Sequence, residues 1–192
     1  MTASEHTHAT ALPQPNRFIT THDAKSNAIF SRQIPESVSF WRVGSQAEPA
    51  AFGLAYTTLS TPIRLTEDED LSDFIHAHEH RKRSGLVKKG GSVLRYVDYS
   101  PRSSSPIHRT VSCDYAIVLV GEMACLLDSG ESRILKVGDV LIQRGTMHQW
   151  INNSDQWARM LYVLIDATSV NVDGEVFGEE LGGMKGVPSS SL

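Results

Sequence analysis

Cysteine is nearly absent: the 192 residues hold two, Cys113 and Cys125. Two cysteines build neither a disulfide scaffold nor a cysteine-rich zinc site. Nothing around Cys113 suggests an activated thiolate, so it reads as structural. Long apolar runs are missing too. The longest, Tyr115 to Val120 and Met160 to Ile165, are strand-sized and well short of the roughly 18 residues that suggest a membrane-crossing helix. The opening MTASEHTHATALPQPNRF has no basic stretch followed by an apolar one, so no secretory leader is expected. Positive charge is not in excess, with Lys plus Arg at 18, Asp plus Glu at 22 and a net charge of -4. A free-standing nucleic-acid binder is normally basic, so that class is disfavoured. The expectation is a soluble, cytoplasmic protein with reduced thiols and neither nucleic-acid nor membrane partners.

What is present is ordinary globular composition, 40% hydrophobic and 21% charged, at a length that suggests one domain with tails. Eight histidines beside two cysteines form the one skew. A bound metal would therefore have to be held by His and carboxylate.

Residues 1–16 are rich in Thr, Ala, His and Pro without periodicity and read as a disordered tail. GGMKGVPSSSL at the other end reads as an irregular extension over 171–192. Between them lie many short β-branched or aromatic segments separated by turn residues: FITTH, AIFSRQI, SFWRVG, FGLAYTTL, VLRYVDY, DYAIVLV, VLIQRG, HQWINN and ARMLYVLID. MACLLDSGESRILKV predicts a hairpin turning at Asp128-Ser129-Gly130. Short strands at this spacing suggest a sandwich or closed barrel.

One helix is predicted, from about Glu67 to Ser84. Thr66 and Glu69 have capping-box spacing, acidic residues fill the first turn, and Arg81, Lys82 and Arg83 fill the last before Gly85. It carries His76, His78 and His80. On a strand the three would share a face; on a helix only His76 and His80 do, and two ligands do not make a site. A solvated helix with Phe74 and Ile75 toward the core is the simpler reading. His6 and His8, in the tail, are assigned no role.

A second constellation lies in the β-rich part. His108 and Thr110 share one strand face by alternation. Asp114 points with Ala116, Val118 and Val120, and Cys113 points away. His148, Trp150 and Asn152 share a face of a later strand.

These segments resemble the cupin family. Its usual first motif runs G-x5-H-x-H-x3-4-E-x6-G, and here His108, Thr110, Asp114 and Gly121 keep that spacing from the first His onward. Its usual second motif runs G-x5-P-x-G-x2-H-x3-N, and here Gly138, RGTMH, His148 and Asn152 follow it one residue shorter. The closer resemblance is to small single-domain cupins with HRTxSxDY and QRGTMHxW motifs, many encoded near fungal polyketide and other secondary-metabolite genes. The resemblance implies an all-β fold, the cupin double-stranded β-helix or jelly-roll barrel, with one accessory helix near 67–84. It implies a single domain over 17–170 with its conserved barrel at about 92–168. It also implies a homodimer, with residues 18–45 contributing to the interface.

Family metal sites usually use three His and one Glu. Carried over by position, the second His is replaced by Thr110 and the Glu by Asp114. His108, Asp114 and His148 remain, a set that suits one divalent metal, Fe, Zn or Mn. A metal-free acid–base site using the same three residues is the alternative: Asp114 would orient His108, and His148 would polarise a carbonyl or stabilise an enolate. Tyr96, Val118, Trp150 and Tyr162 are candidate pocket walls, with Thr110 and Asn152 beside them. Arg144, in place of the motif Pro, either caps a loop or binds an anionic substrate group. Gly121, Gly138 and Gly145 are assigned to turns.

Three functions follow. The first is a tailoring enzyme of secondary metabolism, lyase or isomerase in type, performing decarboxylation, dehydration or proton transfer next to a carbonyl on a polyketide-like or phenolic small molecule. The second is an Fe(II)-dependent dioxygenase. The third is a non-catalytic ligand-binding cupin.

Overall fold

The computed structural model describes residues 9–46 and 49–190. The chain opens with a small hairpin, β1 (Thr20–His22) and β2 (Ala28–Phe30). β3 (Phe40–Gly44) and β4 (Pro49–Thr58) follow, then α1 (Glu69–Glu79), the one α-helix among the described residues. Next come β5 (Ser92–Tyr99), β6 (Ser103–Ser104), β7 (Ser112–Val120), β8 (Glu122–Leu127), β9 (Ser132–Lys136), β10 (Val140–Arg144), β11 (His148–Asn152) and β12 (Ala158–Asp166). A last hairpin joins β13 (Val170–Val172) to β14 (Glu175–Phe177).

Two sheets form the body. One has six strands in the order β10-β7-β12-β5-β4-β3, the other four in the order β6-β11-β8-β9. Their inner faces share one core, with Phe52, Val97 and Met160 from the larger sheet and Met123, Cys125 and Trp150 from the smaller. This is the two-sheet barrel expected. β7 shows why the chain folds this way: Ser112, Asp114, Ala116 and Val118 are buried, and Tyr115 is exposed on the opposite face. The β8–β9 hairpin forms around Gly130, whose φ of 87° a side chain would resist.

The helix is shorter than expected and its capping box is not made. Thr66–Asp68 is a 3-10 turn, α1 begins at Glu69, and Arg81–Arg83 is a second 3-10 turn. Competing partners take the carboxylates that would have capped it. Glu69 pairs with Arg64 at 2.9 Å, while Asp68 accepts from Thr21 Oγ1 at 2.5 Å and from Gln33 at 3.3 Å. α1 buries Leu71, Phe74 and Ala77, and Tyr56 of β4 meets it, stacking on Phe74 and donating its hydroxyl to Asp70 at 2.6 Å.

Both termini are more structured than their composition suggests. Residues 1–8 of the expected tail lie outside the described residues. Beyond them, Thr10 is buried and the Pro13 carbonyl accepts from Arg159 at 2.7 Å. Arg159 is the reason: it sits inside, paired with buried Asp98, and needs a further acceptor for its remaining N–H groups. The extension after β12 carries the β13–β14 hairpin and then returns over the barrel. There Glu180 bridges the backbone of Arg109, and the Lys185 carbonyl accepts from Gly44 N–H at 3.0 Å. Among the described residues no helix is long and apolar enough to cross a membrane.

Candidate active site

The segment leading into β7 and the start of β11 are stitched together by an isolated antiparallel bridge between His108 and His148. The bridge sets the two rings side by side, with centroids 4.3 Å apart. Each ring is turned by a local carbonyl: His108 Nδ1 lies 2.9 Å from Pro106 O, and His148 Nδ1 lies 3.0 Å from Thr146 O. A nitrogen facing a carbonyl must carry the proton, so Nε2 is left with its lone pair in both rings. Burial holds both imidazoles neutral. His108 is lowered from its ordinary value, and His148 is pushed down to about 3 by burial first and by neighbouring His108 second.

Asp114 comes from the inner face of β7. Its Oδ2 accepts from Thr110 Oγ1 at 3.3 Å, and Thr110 in turn accepts from Ser112 Oγ at 2.8 Å. Its Oδ1 is buried with no hydrogen-bond partner. Burial pushes this carboxyl up to about 6, against the downward pull of the Ser112 and Thr110 hydroxyls.

All three residues line one cavity, with an empty volume of about 730 Å³ counted out to its open mouth. Thr110, Trp150 and Tyr162 lie on its wall, as do Phe52, Val97 and Leu164. Trp150 bridges the chemistry to the wall, its ring 5.9 Å from His148 and 5.7 Å from Tyr162. Tyr162 shares its hydroxyl with that of Tyr99 at 3.1 Å. Met184 of the C-terminal extension also reaches the cavity.

Four residues expected at the pocket lie elsewhere. Tyr96 faces away from the cavity, packing near Phe40 and Arg159, because Arg95, Val97 and Tyr99 take the inner face of β5. Val118 points inward but is fully buried in the core beyond the cavity. Asn152 is buried as a loop clamp: its Nδ2 donates to the carbonyls of Tyr99, Ser100 and Gln156, and its Oδ1 accepts from Ser154. Arg144 is exposed at the end of β10, in a separate surface hollow beside Thr110, Cys113 and Phe177. Alternation also left out cavity residues that it could have proposed, namely Arg95, Tyr99 and the run Ser103–Ser105. Reversing the parity on VLRYVDY would have found the first two.

Two expected roles change with the geometry. Asp114 hydrogen-bonds Thr110, and a backbone carbonyl rather than that carboxylate orients His108. His148 offers an acceptor, not a donor, at Nε2, so in its neutral form it cannot stabilise an enolate oxygen.

The donor types suit a divalent ion: two neutral imidazole nitrogens and an orphaned buried carboxylate oxygen. Among the described residues, the group whose ligand atoms all lie within 4.8 Å of one another is His76, Glu79 and His80 on α1, all exposed. The expectation that only His76 and His80 meet on that helix is thus widened by Glu79, one residue short of His80 on the same face.

No family model matches the chain. Among curated proteins, it is 42% identical over 182 residues to phomopsin biosynthesis cluster protein D of Diaporthe leptostromiformis, covering 93% of this chain and 92% of that protein. It is 42% identical over 176 residues to oryzines biosynthesis cluster protein J of Aspergillus oryzae, covering 91% and 95%. It is 37% identical over 169 residues to the cupin-domain-containing oxidoreductase fogC of Aspergillus ruber, covering 86% and 79%. Among solved structures, a Cupin 2 conserved barrel domain protein from Salinispora arenicola aligns at 27% identity with a TM-score of 0.37, covering 40% of this chain and 64% of that one.

Proposed function

The chain belongs to the cupin-domain proteins of fungal biosynthesis clusters, and on that premise we propose that it is a tailoring enzyme that moves a proton next to a carbonyl of a small molecule held in the barrel. The observation that carries this reading is the chemistry of the free atoms. His108 Nε2, His148 Nε2 and Asp114 Oδ1 are all acceptors without a protein donor, on the wall of a largely apolar cavity. A cluster of bases without an acid suits removal of a proton from carbon.

Asp114 is the base best suited to the transfer. Thr110 holds its Oδ2, and its buried Oδ1 has no protein partner. The imidazoles stand beside it as uncharged acceptors, and the proton stays on the Asp114 carboxyl until it is returned to carbon. The developing oxyanion needs a donor, and the Tyr99–Tyr162 hydroxyl pair on the cavity wall can supply one by turning from Met160 Sδ, its weak acceptor, to the substrate. An enolate formed this way is reprotonated at another carbon or expels a β-hydroxide, while a β-keto acid that loses carbon dioxide arrives at the same enolate and is then protonated at carbon by the protonated base; these outcomes give the lyase or isomerase type.

A second reading is favoured by the same donor set. His108, His148 and Asp114 would hold a divalent ion, and as Fe(II) it would make the protein a dioxygenase, in keeping with relatives named as oxidoreductases. A bound ion would polarise a substrate carbonyl as a Lewis acid.

One experiment separates the two readings. Benzoylacetate is incubated in deuterium oxide with chelator-treated protein, and exchange and decarboxylation at its α-carbon are followed by NMR. Acceleration that is lost in Asp114→Asn, and persists without metal, supports proton transfer. Acceleration or oxygen uptake only on adding Fe(II) supports the second reading. Metal content should be counted on a His76→Ala, His80→Ala background, because the exposed cluster on α1 offers a competing site. Exchange no faster than buffer in every condition overturns both.

A further inference from the structure

Among the described residues lining the cavity, Arg95 is the one arginine or lysine. Its side chain, on the inner face of β5, is 3% exposed. It makes one hydrogen bond, Nη2 to the Gly85 carbonyl at 3.1 Å, and its guanidinium stacks 4.8 Å from the centre of the Phe52 ring. Its Nε is buried with no partner, and none of the ion pairs among the described residues includes it. Arg159 is the buried arginine with an anion: it holds Asp98 with two hydrogen bonds of 2.6 and 2.7 Å, whereas Arg17 and Arg81, outside the cavity, share with Arg95 a buried Nε without a partner. Burying a guanidinium without an anion is unfavourable, and a fold that needed only bulk at this position would be better served by Met or Leu.

We propose that Arg95 is the anion-binding end of the cavity, holding a carboxylate of the substrate through the outer edge of its guanidinium. The proposal rests on reading the cavity as a substrate site. Burial draws the arginine down only to about 10, so it stays a cation at neutral pH. Register sets the span. Arg95 lies opposite Tyr162 on β12, and Tyr162 lies opposite Ala116 on β7, next on that face to Asp114. Two strand spacings put the arginine and β7 roughly 10 Å apart at the backbone. Tyr162 stands on that face between the two, and Trp150 lines the same cavity, so the wall that joins them is aromatic. The substrate class is therefore an aromatic or ring-sized acid, bound by its carboxylate at Arg95 and reacting at the far end near Asp114 and the imidazole pair.

Calorimetric binding of 4-hydroxybenzoate and its neutral amide, 4-hydroxybenzamide, tests this on the full chain. Wild type is expected to prefer the acid by at least about tenfold, as befits a charge-assisted hydrogen bond. Arg95→Met should lose that preference while its Tm is unchanged or raised, because it removes an unpaired buried charge. Arg95→Gln reads the same loss should Arg95→Met fail to fold. Asp114→Asn should keep the preference, which separates the two ends of the cavity. If proton exchange persists in Asp114→Asn while the acid preference depends on Arg95, the proton-transfer reading fails and the anion site stands. Equal binding of acid and amide, binding of neither, or a preference that survives in the Arg95 variants overturns the proposal.

Discussion

His108 and His148 hold each other through the backbone: each N–H donates to the other's carbonyl, at 2.8 and 2.9 Å. The bridge ties the segment before β7, on the larger sheet, to β11 on the smaller one. It also forces two imidazoles into contact inside the barrel, where a second positive charge would be strongly disfavoured. The pair therefore works as two uncharged bases, and this shapes how the protein responds to acid.

Stability should fall as the pH drops below the ordinary histidine range. In the unfolded chain His148 takes up a proton near pH 6.5, while in the fold it resists until about 3. The unfolded state then binds more protons, so the stability this group contributes is complete above pH 6.5 and is lost on the way down to 3. The loss from His148 alone is about 2 kcal/mol at pH 5. Denaturant unfolding of chelator-treated protein at pH 7.5 and 5 should show it, and His148→Gln should flatten the difference. A His148→Gln slope equal to wild type would mean that the ring is not held neutral.

Asp114 works in the opposite direction. Its carboxyl is raised in the fold to about 6, so between its unfolded value near 4 and about 6 the native state binds more protons. Its contribution is then greatest in acid and declines as pH rises through that window. Asp114→Asn should stabilise the protein by about 1–3 kcal/mol at pH 8 and by much less at pH 4. The same variant should abolish α-proton exchange, and wild-type exchange should rise with pH to a plateau above about 6. An Asn variant that loses activity without gaining stability at pH 8 would indicate that the carboxylate is not buried as a charge.

How much of this was legible in the sequence differed strand by strand. β7 was readable because its alternation is clean: Ser112, Asp114, Ala116 and Val118 inside, and bulky Tyr115 outside. β5 was not. Leu94, Tyr96 and Asp98 on one face look as core-like as Val93, Arg95, Val97 and Tyr99 on the other, and each face carries one charge. What decides its parity is Arg159, placed opposite Asp98 by β12, a partner sixty residues away in the chain. Local pattern cannot weigh that pair, so alternation alone points Tyr96 into the pocket and Arg95 away from it. The helix start failed for a related reason: capping geometry was present in the sequence, but Arg64, Thr21 and Gln33 claimed the carboxylates.

The Asp98–Arg159 pair should behave as a buried unit. Asp98 is fully buried and Arg159 nearly so, with the guanidinium lying over Phe40 at 5.0 Å. Arg159→Met leaves a carboxylate inside without its partner and should cost about 3–5 kcal/mol. Adding Asp98→Leu should recover much of that loss, because the desolvated charge is gone. A double variant no more stable than Arg159→Met alone would place the weight on Arg159's other contacts, its Pro13 carbonyl bond above all.

Asn152 gives the last test, since it sits on the same strand face as His148 and Trp150 yet serves the loops rather than the cavity. Its amide donates to three carbonyls, of Tyr99, Ser100 and Gln156, and its oxygen accepts from both the N–H and the hydroxyl of Ser154. All of this is buried, so removing it strands several polar atoms at once. Asn152→Ala should lower stability by about 2–4 kcal/mol, more than one ordinary hydrogen bond is worth. Asn152→Asp should do worse than alanine at neutral pH, because it would set a carboxylate against the carbonyls that the amide now satisfies. Neither change should alter the preference for 4-hydroxybenzoate over its amide, provided that binding is measured well below each variant's Tm. A selective loss of that preference, with stability intact, would move Asn152 from the loops to the substrate.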